Sequence, residues 1–589
     1  MKSFFKYLLA SILGALIAAL ILFFISMGVI TAIVSTQDKP VEIKSNTILL
    51  LKLNQPINDR KSPLPMLKFN LSSFGADNAL GLNDILNNIT KAGHDENIRG
   101  IYLELSGLQT GIATIEEIRN ALTDFKKTGK FIVAYGDIYT QGSYYLASVA
   151  DKIYVNPEGS VNLIGLSAEI MFYKKALEKL DIQPEIIRHG KFKSAVEPFM
   201  YDKMSPENRE QIRVYVGSIW DHMVEQMAAS RGILKERIND FADSLLLWNS
   251  SSAIAYRIID TTLYKDQVLD TLARLSGTDH SKDLNFITHQ KYLRVPVTSY
   301  GKGYSRNKIA VIYAEGDIVM GEPSDGIIGS DKVARSIREA RQDSAVKAIV
   351  FRVNSPGGSA LASEVIWREL YLAHQVKPVI ASMGDVAASG GFYIVAAADT
   401  IVASPNTITG SIGVFGLLVD AGDFLENKLG ITVDVENTNA HSDFPSIFKP
   451  LSEAERLTLQ RMIDGTYTAF VKRVSDGRGL SFEQVDKIAE GRVWSGKNAL
   501  ELGLIDTLGG LTTAIDIAAK RAKLDHYRII ELPKLEEPLA QIIKELSGDM
   551  KERLLRNELA GHYRQYQMVK QVLQSDKIQA RMPFELILH

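Results

Sequence analysis

A chain of 589 residues is longer than one hydrophobic core usually organises, so at least two domains are expected. With 46% hydrophobic residues, 23% charged residues and a formal net charge of -2, the composition is globular and lacks the basic excess that a nucleic-acid partner requires. The absence of cysteine excludes disulfides, thiol nucleophiles and cysteine-ligated zinc, but leaves the compartment open, since extracytoplasmic proteins also occur without disulfides.

Behind Lys2 and Lys6, Tyr7 to Val34 runs without a charged residue. Roughly 20 apolar residues cross a bilayer as a helix, so residues 1–40 are expected to form a cytoplasmic tip and a transmembrane anchor. A cleavable signal peptide is the competing reading, but its apolar region is usually about 7 to 15 residues long and ends in a small-x-small site. Lys2, Lys6 and the α-amino group precede the span, whereas Asp38, Lys39, Glu42 and Lys44 cancel behind it. That bias puts the N-terminus in the cytoplasm and the bulk of the chain outside.

The remainder repeats itself. Gly136-Asp137 matches Gly384-Asp385, Tyr145 matches Tyr393, Ala150-Asp151 matches Ala398-Asp399 and Pro157 matches Pro405, each pair 248 residues apart. An ungapped offset of this length reads as two copies of one domain, at 45–300 and 305–535. In the second copy, strand-like runs at Lys308–Tyr313, Ala348–Val353, Val379–Ser382 and Thr400–Ala403 alternate with helical patterns at Ser363–His374, Gly391–Ala398 and Ser452–Val474. Such alternation predicts α/β domains with a largely parallel sheet, and apolar runs without strict alternation fit strands covered on both faces. Val295 to Asn307 has the turn-forming composition of a linker between the copies.

The chemistry concentrates in the second copy, in Val353-Asn-Ser-Pro-Gly-Gly-Ser359, Gly384-Asp-Val-Ala-Ala-Ser-Gly-Gly391 and Thr409-Gly-Ser-Ile-Gly413. A hydroxyl among small residues, with a Gly-Gly turn upstream, suits an acyl-transfer site in which backbone N–H groups crowd an oxyanion. A serine between glycines is in general more often a helix N-cap or a tight turn, so the neighbouring motifs carry the argument. No histidine supplies a charge relay: His374 and His441, the nearest to Ser389 in sequence, have no glycine-rich or acid-paired context. At the 248-residue offset Ser389 meets Gln141, Gly357 and Gly358 meet Gln109 and Thr110, and Ser411 meets Leu163, so the first copy has no nucleophile. It has instead Phe192-Lys-Ser-Ala-Val-Glu-Pro-Phe199, whose Lys193 falls opposite His441. Each copy lacks what the other keeps, which points to one composite site. A lysine, with an ordinary pKa of about 10.4, becomes a base near neutrality only when burial disfavours its ammonium form. Phe192, Ala195, Val196, Pro198 and Phe199 are apolar enough to provide that burial, while the directions of Lys191 and Glu197 stay open.

Together with Gly491-Arg-Val-Trp-Ser-Gly496 and Gly503-Leu-Ile-Asp506, these motifs make the chain resemble the long, double-domain form of the signal peptide peptidase A (protease IV) family. The resemblance extends from the anchor to about Gly510, with Phe192 where related sequences often carry Tyr. It implies a membrane-anchored Ser-Lys protease with tandem domains of the Clp protease/crotonase type. In it Ser389 is the nucleophile, Lys193 the general base, Ser411 the hydroxyl that orients the lysine, and the Gly358 and Gly390 N–H groups the oxyanion donors. It also implies a bowl-shaped homotetramer on the outer side of a bacterial cytoplasmic membrane, acting on remnant signal peptides. The residues themselves suggest no metal or other cofactor, since no His-x3-His or acidic cluster with ligand spacing stands out. The other classes that share parts of this pattern are a crotonase-like acyl-CoA enzyme and a non-catalytic membrane scaffold. Residues 536–589 fall outside the resemblance; their Leu, Ile and Lys/Glu spacing predicts a helical tail, with a short apolar end at Met582–Leu588.

Overall fold

The computed structural model describes residues 4, 6–7, 10–18, 20–21, 41–61, 79–105, 107–296, 305–323, 326–535 and 578–582. The expected anchor lies mostly outside them. Its described part is helical, and among the described residues no helix is long and apolar enough to cross a membrane. Most of the expected linker, at 297–304, and of the tail, at 536–577, also lies outside. The described end of the tail, Ile578–Arg581, is a strand rather than part of a helix.

Each copy builds a parallel sheet of the same order. In the first, Thr261–Thr262, Lys152–Val161, Phe131–Tyr139, Ile98–Glu104, Thr47–Lys52 and Asn285–Thr288 lie side by side, all parallel. In the second, Thr400–Ala403, Val379–Ala388, Val346–Ser355, Lys308–Glu315 and Arg528–Leu532 follow the same path, and only Val493–Ser495 runs antiparallel at the edge. Strands beginning at Ile98, Phe131 and Lys152 correspond to strands beginning at Val346, Val379 and Thr400, each 248 residues further on. Correspondence ends at the first strands, Thr47 and Lys308, which are 261 apart.

The continuous apolar runs are explained by two cores, one on each face of a sheet. Successive side chains of a strand point to opposite faces. Ile309, Val311 and Tyr313 therefore pack with Val350, Ile380 and Val402 under the helix Leu511–Arg521. Ala310, Ile312 and Ala314 pack on the other side with Phe351, Val353 and Ala381, beneath the helices Ser330–Gln342 and Ala360–His374. Full burial of an Ile or Val contributes about 1.5–3 kcal/mol, so a one-residue slip would forfeit many such terms at once.

The copies meet across a buried charge cluster. Arg352 of the second copy is fully buried, with Nη2 2.7 Å from both Asp59 Oδ1 and Glu117 Oε1 of the first. Its Nη1 donates to Ser382 Oγ and the Met383 carbonyl. Glu117 also accepts from the Leu511 N–H, at 2.7 Å, and Asp385 accepts from the N–H and hydroxyl of Thr114. Burial, then the nearby Asp59, pushes Glu315 up to about 8 beside this cluster.

Removing one partner of a buried ion pair typically costs about 3–5 kcal/mol because the other charge stays in the interior. Arg352→Met is expected to lower stability by this amount, read as a reduced urea midpoint; an unchanged midpoint would show that the cluster does not hold the copies together.

Candidate active site

The strand Val379–Ala388 runs directly into the helix Gly390–Val395, and Ser389 stands at the junction. Its backbone is left-handed, with φ 56 and ψ -116, a conformation unfavourable for a residue with a Cβ. The turn is pinned at both sides: Ser389 N–H donates to the Gly410 carbonyl and Tyr393 N–H to the Ser389 carbonyl, each at 2.8 Å. Ser389 and Ser411 are both fully buried, and Ser411 is also left-handed, with φ 50. Strain of this kind, held by surrounding hydrogen bonds, is often found at functional turns.

The second ingredient crosses from the other copy. Gln183–Arg188, in the first copy, pairs antiparallel with Phe415–Asp420 of the second, from Arg188 opposite Phe415 to Gln183 opposite Asp420. The chain then turns through Gly190, and the Phe192 N–H donates to the Glu490 carbonyl at 3.0 Å. Gly491 takes φ +83, and a Cβ there would stand 2.6 Å from the Lys193 Cα. A Cβ at Gly413 would stand 3.2 Å from the Lys193 Cδ. Glycine at both positions lets the lysine loop lie against the second copy without a gap.

Gln211, near the start of the helix Pro206–Arg231, fastens this loop. Its Nε2 donates to the Phe192 carbonyl at 3.1 Å and to Ser194 Oγ at 2.8 Å, while its Oε1 accepts the Val493 N–H at 3.1 Å. Glu197 turns away from the amine: it accepts from Ser205 Oγ and Asn208 Nδ2, and so braces the N-terminus of the same helix. Lys191 points outward, 3.5 Å from Glu490, and Phe192 lies under the Arg492 guanidinium, 4.7 Å from the ring centre.

Lys193 Nζ ends 2.7 Å from Ser389 Oγ, 3.0 Å from Ser411 Oγ and 3.1 Å from the Ser411 carbonyl oxygen. Nothing of Lys193 is exposed, and burial alone pushes its amine well below the ordinary 10.5. A neutral amine carries two N–H groups and one lone pair. The Ser411 carbonyl can only accept, so it takes one N–H; Ser411 Oγ takes the other, and the lone pair is left facing the Ser389 hydroxyl. This arrangement can withdraw a proton from Ser389.

The three side chains expected from the sequence thus meet, Gly390 adjoins Ser389 at the start of its helix, and Gly357, next to Gly358, packs against Gly390. Gly357 shapes it: with φ +104, a Cβ there would lie 2.8 Å from the Gly390 nitrogen and fill the space beside it. His374 and His441 face Asp399 and Glu455 instead. Gln211 escaped the sequence reading because a single amide on a long helix carries no motif.

Comparison with known proteins sets the class of the molecule, a serine protease. The profile of peptidase family S49 matches residues 124–279 and 372–525, once in each copy. The chain belongs to peptidase family S49, in its double-domain form. It is 38% identical to "Protease 4" of Salmonella typhi over 485 residues, covering 80% of this chain and 77% of that protein. It is 35% identical to "Putative signal peptide peptidase SppA" of Enterococcus faecium over 196 residues, 33% of this chain and 57% of that one. Among solved structures, a mutant form of the 1510-N membrane-bound stomatin-specific protease aligns at a TM-score of 0.26 and 17% identity, over 39% of this chain and 99% of that one.

Two outcomes follow from the lysine's packing. Gly491→Ala places a methyl group against the lysine backbone, and since a displacement of 1 Å costs roughly 100-fold in rate, peptide hydrolysis is expected to fall by about that factor with the circular dichroism spectrum unchanged. Between its folded value and 10.5, the unfolded chain binds one more proton at Lys193 than the folded chain does. The residue therefore lowers stability at neutral pH, and lowers it less as pH rises toward 10.5. Lys193→Met is expected to melt at or above the wild-type temperature at neutral pH, with the gap narrowing in alkaline buffer; a lower melting temperature at neutral pH would contradict this.

Proposed function

We propose that the chain is a membrane-anchored endopeptidase in which Ser389 and Lys193 form the catalytic dyad, degrading hydrophobic peptides such as signal peptides after their release from secreted proteins. The observation that carries this reading is the 2.7 Å approach of a buried lysine amine to a buried serine hydroxyl, with no carboxylate among the described residues in contact with the amine. Lys193 takes the Ser389 proton as Oγ attacks a peptide carbonyl. The N–H groups of Gly358 and Gly390 receive the oxyanion, and the lysine returns the proton to the leaving amine. Water, activated by the same amine, then releases the acyl group. Ser411 holds the amine in line.

The charge-free stretch Tyr7–Val34 supports the anchor, with the peptidase on the extracytoplasmic side of a bacterial membrane. Leu429, Ile431, Val433 and Val435 are exposed in and beside a segment without regular structure, an apolar surface suited to burial against further copies in a homotetramer.

Ser389→Ala and Lys193→Ala are each expected to reduce hydrolysis of an apolar peptide by about 10⁴-fold or more, and to abolish labelling by a serine-directed acylating probe. In the wild type, kcat/KM is expected to rise with pH through the folded pKa of Lys193 and level off well below 10.5. Full activity in either variant refutes the dyad.

A further inference from the structure

Lys193 stands at the end of a loop, 189–193, that has no regular structure of its own, so its place is set by what grips the loop at either end. Gln211 holds one end, at Phe192 and Ser194. The second copy holds the other end through His189. The His189 backbone N–H donates to the Val414 carbonyl at 3.1 Å, and the imidazole lies flat on Tyr467, with ring centres 3.8 Å apart and planes 22° from parallel. Its Nδ1 reaches Asp464 Oδ1 at 2.8 Å. A carboxylate only accepts, so Nδ1 carries the proton, and this hydrogen bond holds Asp464 below the usual carboxylate range. Asp464 and Tyr467 are three residues apart on the helix Glu453–Arg478 and so share one face; Gln460, a turn earlier, donates to the same carboxylate oxygen at 2.9 Å.

Tyr467 carries this grip inward. It is buried, and its hydroxyl donates to Asp486 Oδ1 at 2.6 Å and accepts the Glu490 N–H at 3.4 Å. Glu490 is left-handed, with φ 50, and its carbonyl takes the Phe192 N–H. The same carbonyl oxygen lies 2.4 Å from the point where a Gly190 Cβ would stand, and Gly491, next in the chain, lies against the Lys193 backbone. One imidazole ring thus ties the start of the lysine loop to the turn on which the lysine itself packs. The neighbouring charges are paired elsewhere: Lys191 lies 3.5 Å from Glu490, and Arg188 reaches Glu197 and the Lys193 carbonyl. With side chains 35% and 47% exposed, His189 and Asp464 form a pair too wet to contribute much to stability, which leaves the placing of the loop as its effect.

On the dyad reading above, we infer that His189, clasped between Tyr467 and Asp464, is a positioning residue for Lys193, keeping the amine in line with Ser389 and closed to water. In the dyad the lysine acts on the proton in flight and does not hold the bound peptide. Loss of the clasp therefore falls on kcat rather than on KM. Water admitted to a loosened amine favours its ammonium form, so the pH at which the rate rises moves up toward the ordinary lysine range.

Steady-state hydrolysis of an apolar peptide, measured across pH, tests this. His189→Ala is expected to lose roughly 10- to 100-fold in kcat, the range for a misplacement of up to about 1 Å, with KM changed by less than about twofold and the rate rise displaced to higher pH. His189→Gln, whose flat amide can lie on Tyr467 and donate to Asp464, is expected to restore most of the rate. Asp464→Ala is expected to reproduce the loss, and the double variant to be no slower than either single one, because both side chains act through one clasp. Wild-type kcat and pH profile in His189→Ala overturn the inference and leave the dyad standing. So does a loss that appears in KM, keeps the wild-type pH profile, is not rescued by His189→Gln or adds up in the double variant. A wild type inert toward the peptide, or a Ser389→Ala chain as fast as the wild type, overturns the dyad and the inference with it.

Discussion

A buried amine held against two serines, with no counter-charge among the described residues, is the constraint around which this molecule is arranged. An ammonium so placed would cost several kcal/mol in lost hydration, so burial favours the neutral amine, whose lone pair then has a direction. The surrounding features serve that end. Gly491 and Gly413 let the lysine loop close on the second copy, and Gln211 ties the loop to Val493. Glu197, the nearest carboxylate in sequence, is occupied with Ser205 and Asn208 and so does not restore the positive charge.

The two copies have diverged in opposite directions around this amine. The first contributes the lysine, the strand that carries it and the helix that braces it; the second contributes the strained serine turn and the glycines. Neither half contains the constellation, and the sheet that joins Gln183–Arg188 to Phe415–Asp420 makes their relative position part of the fold. The Arg352 cluster acts in the same sense, since Asp59 and Glu117 leave an unpaired interior charge if the copies separate.

Much of this was readable in the sequence, for identifiable reasons. Continuous apolar runs located the strands at Lys308, Val379 and Thr400 because their side chains point alternately into two apolar cores, and the offset between copies exposed the complementary losses at Gln141 and His441. The direction of Glu197 was not readable, because one residue in a short turn faces inward or outward according to a helix that begins nine positions later. Nor was the tail: Ile578–Arg581 is a strand only because two edges await it, and its spacing resembles the helix-forming pattern around it.

Gly357–Ser359 and Phe415–Asp420 stand one strand apart, about 10 Å from edge to edge, with Ile578–Arg581 paired between them. A helix with its side chains is itself about 10–12 Å across and has already spent its amides and carbonyls internally, so it neither fits nor finds partners there. A hairpin is too broad. A peptide bound between these edges would therefore have to be a lone, extended strand, whatever its residue types.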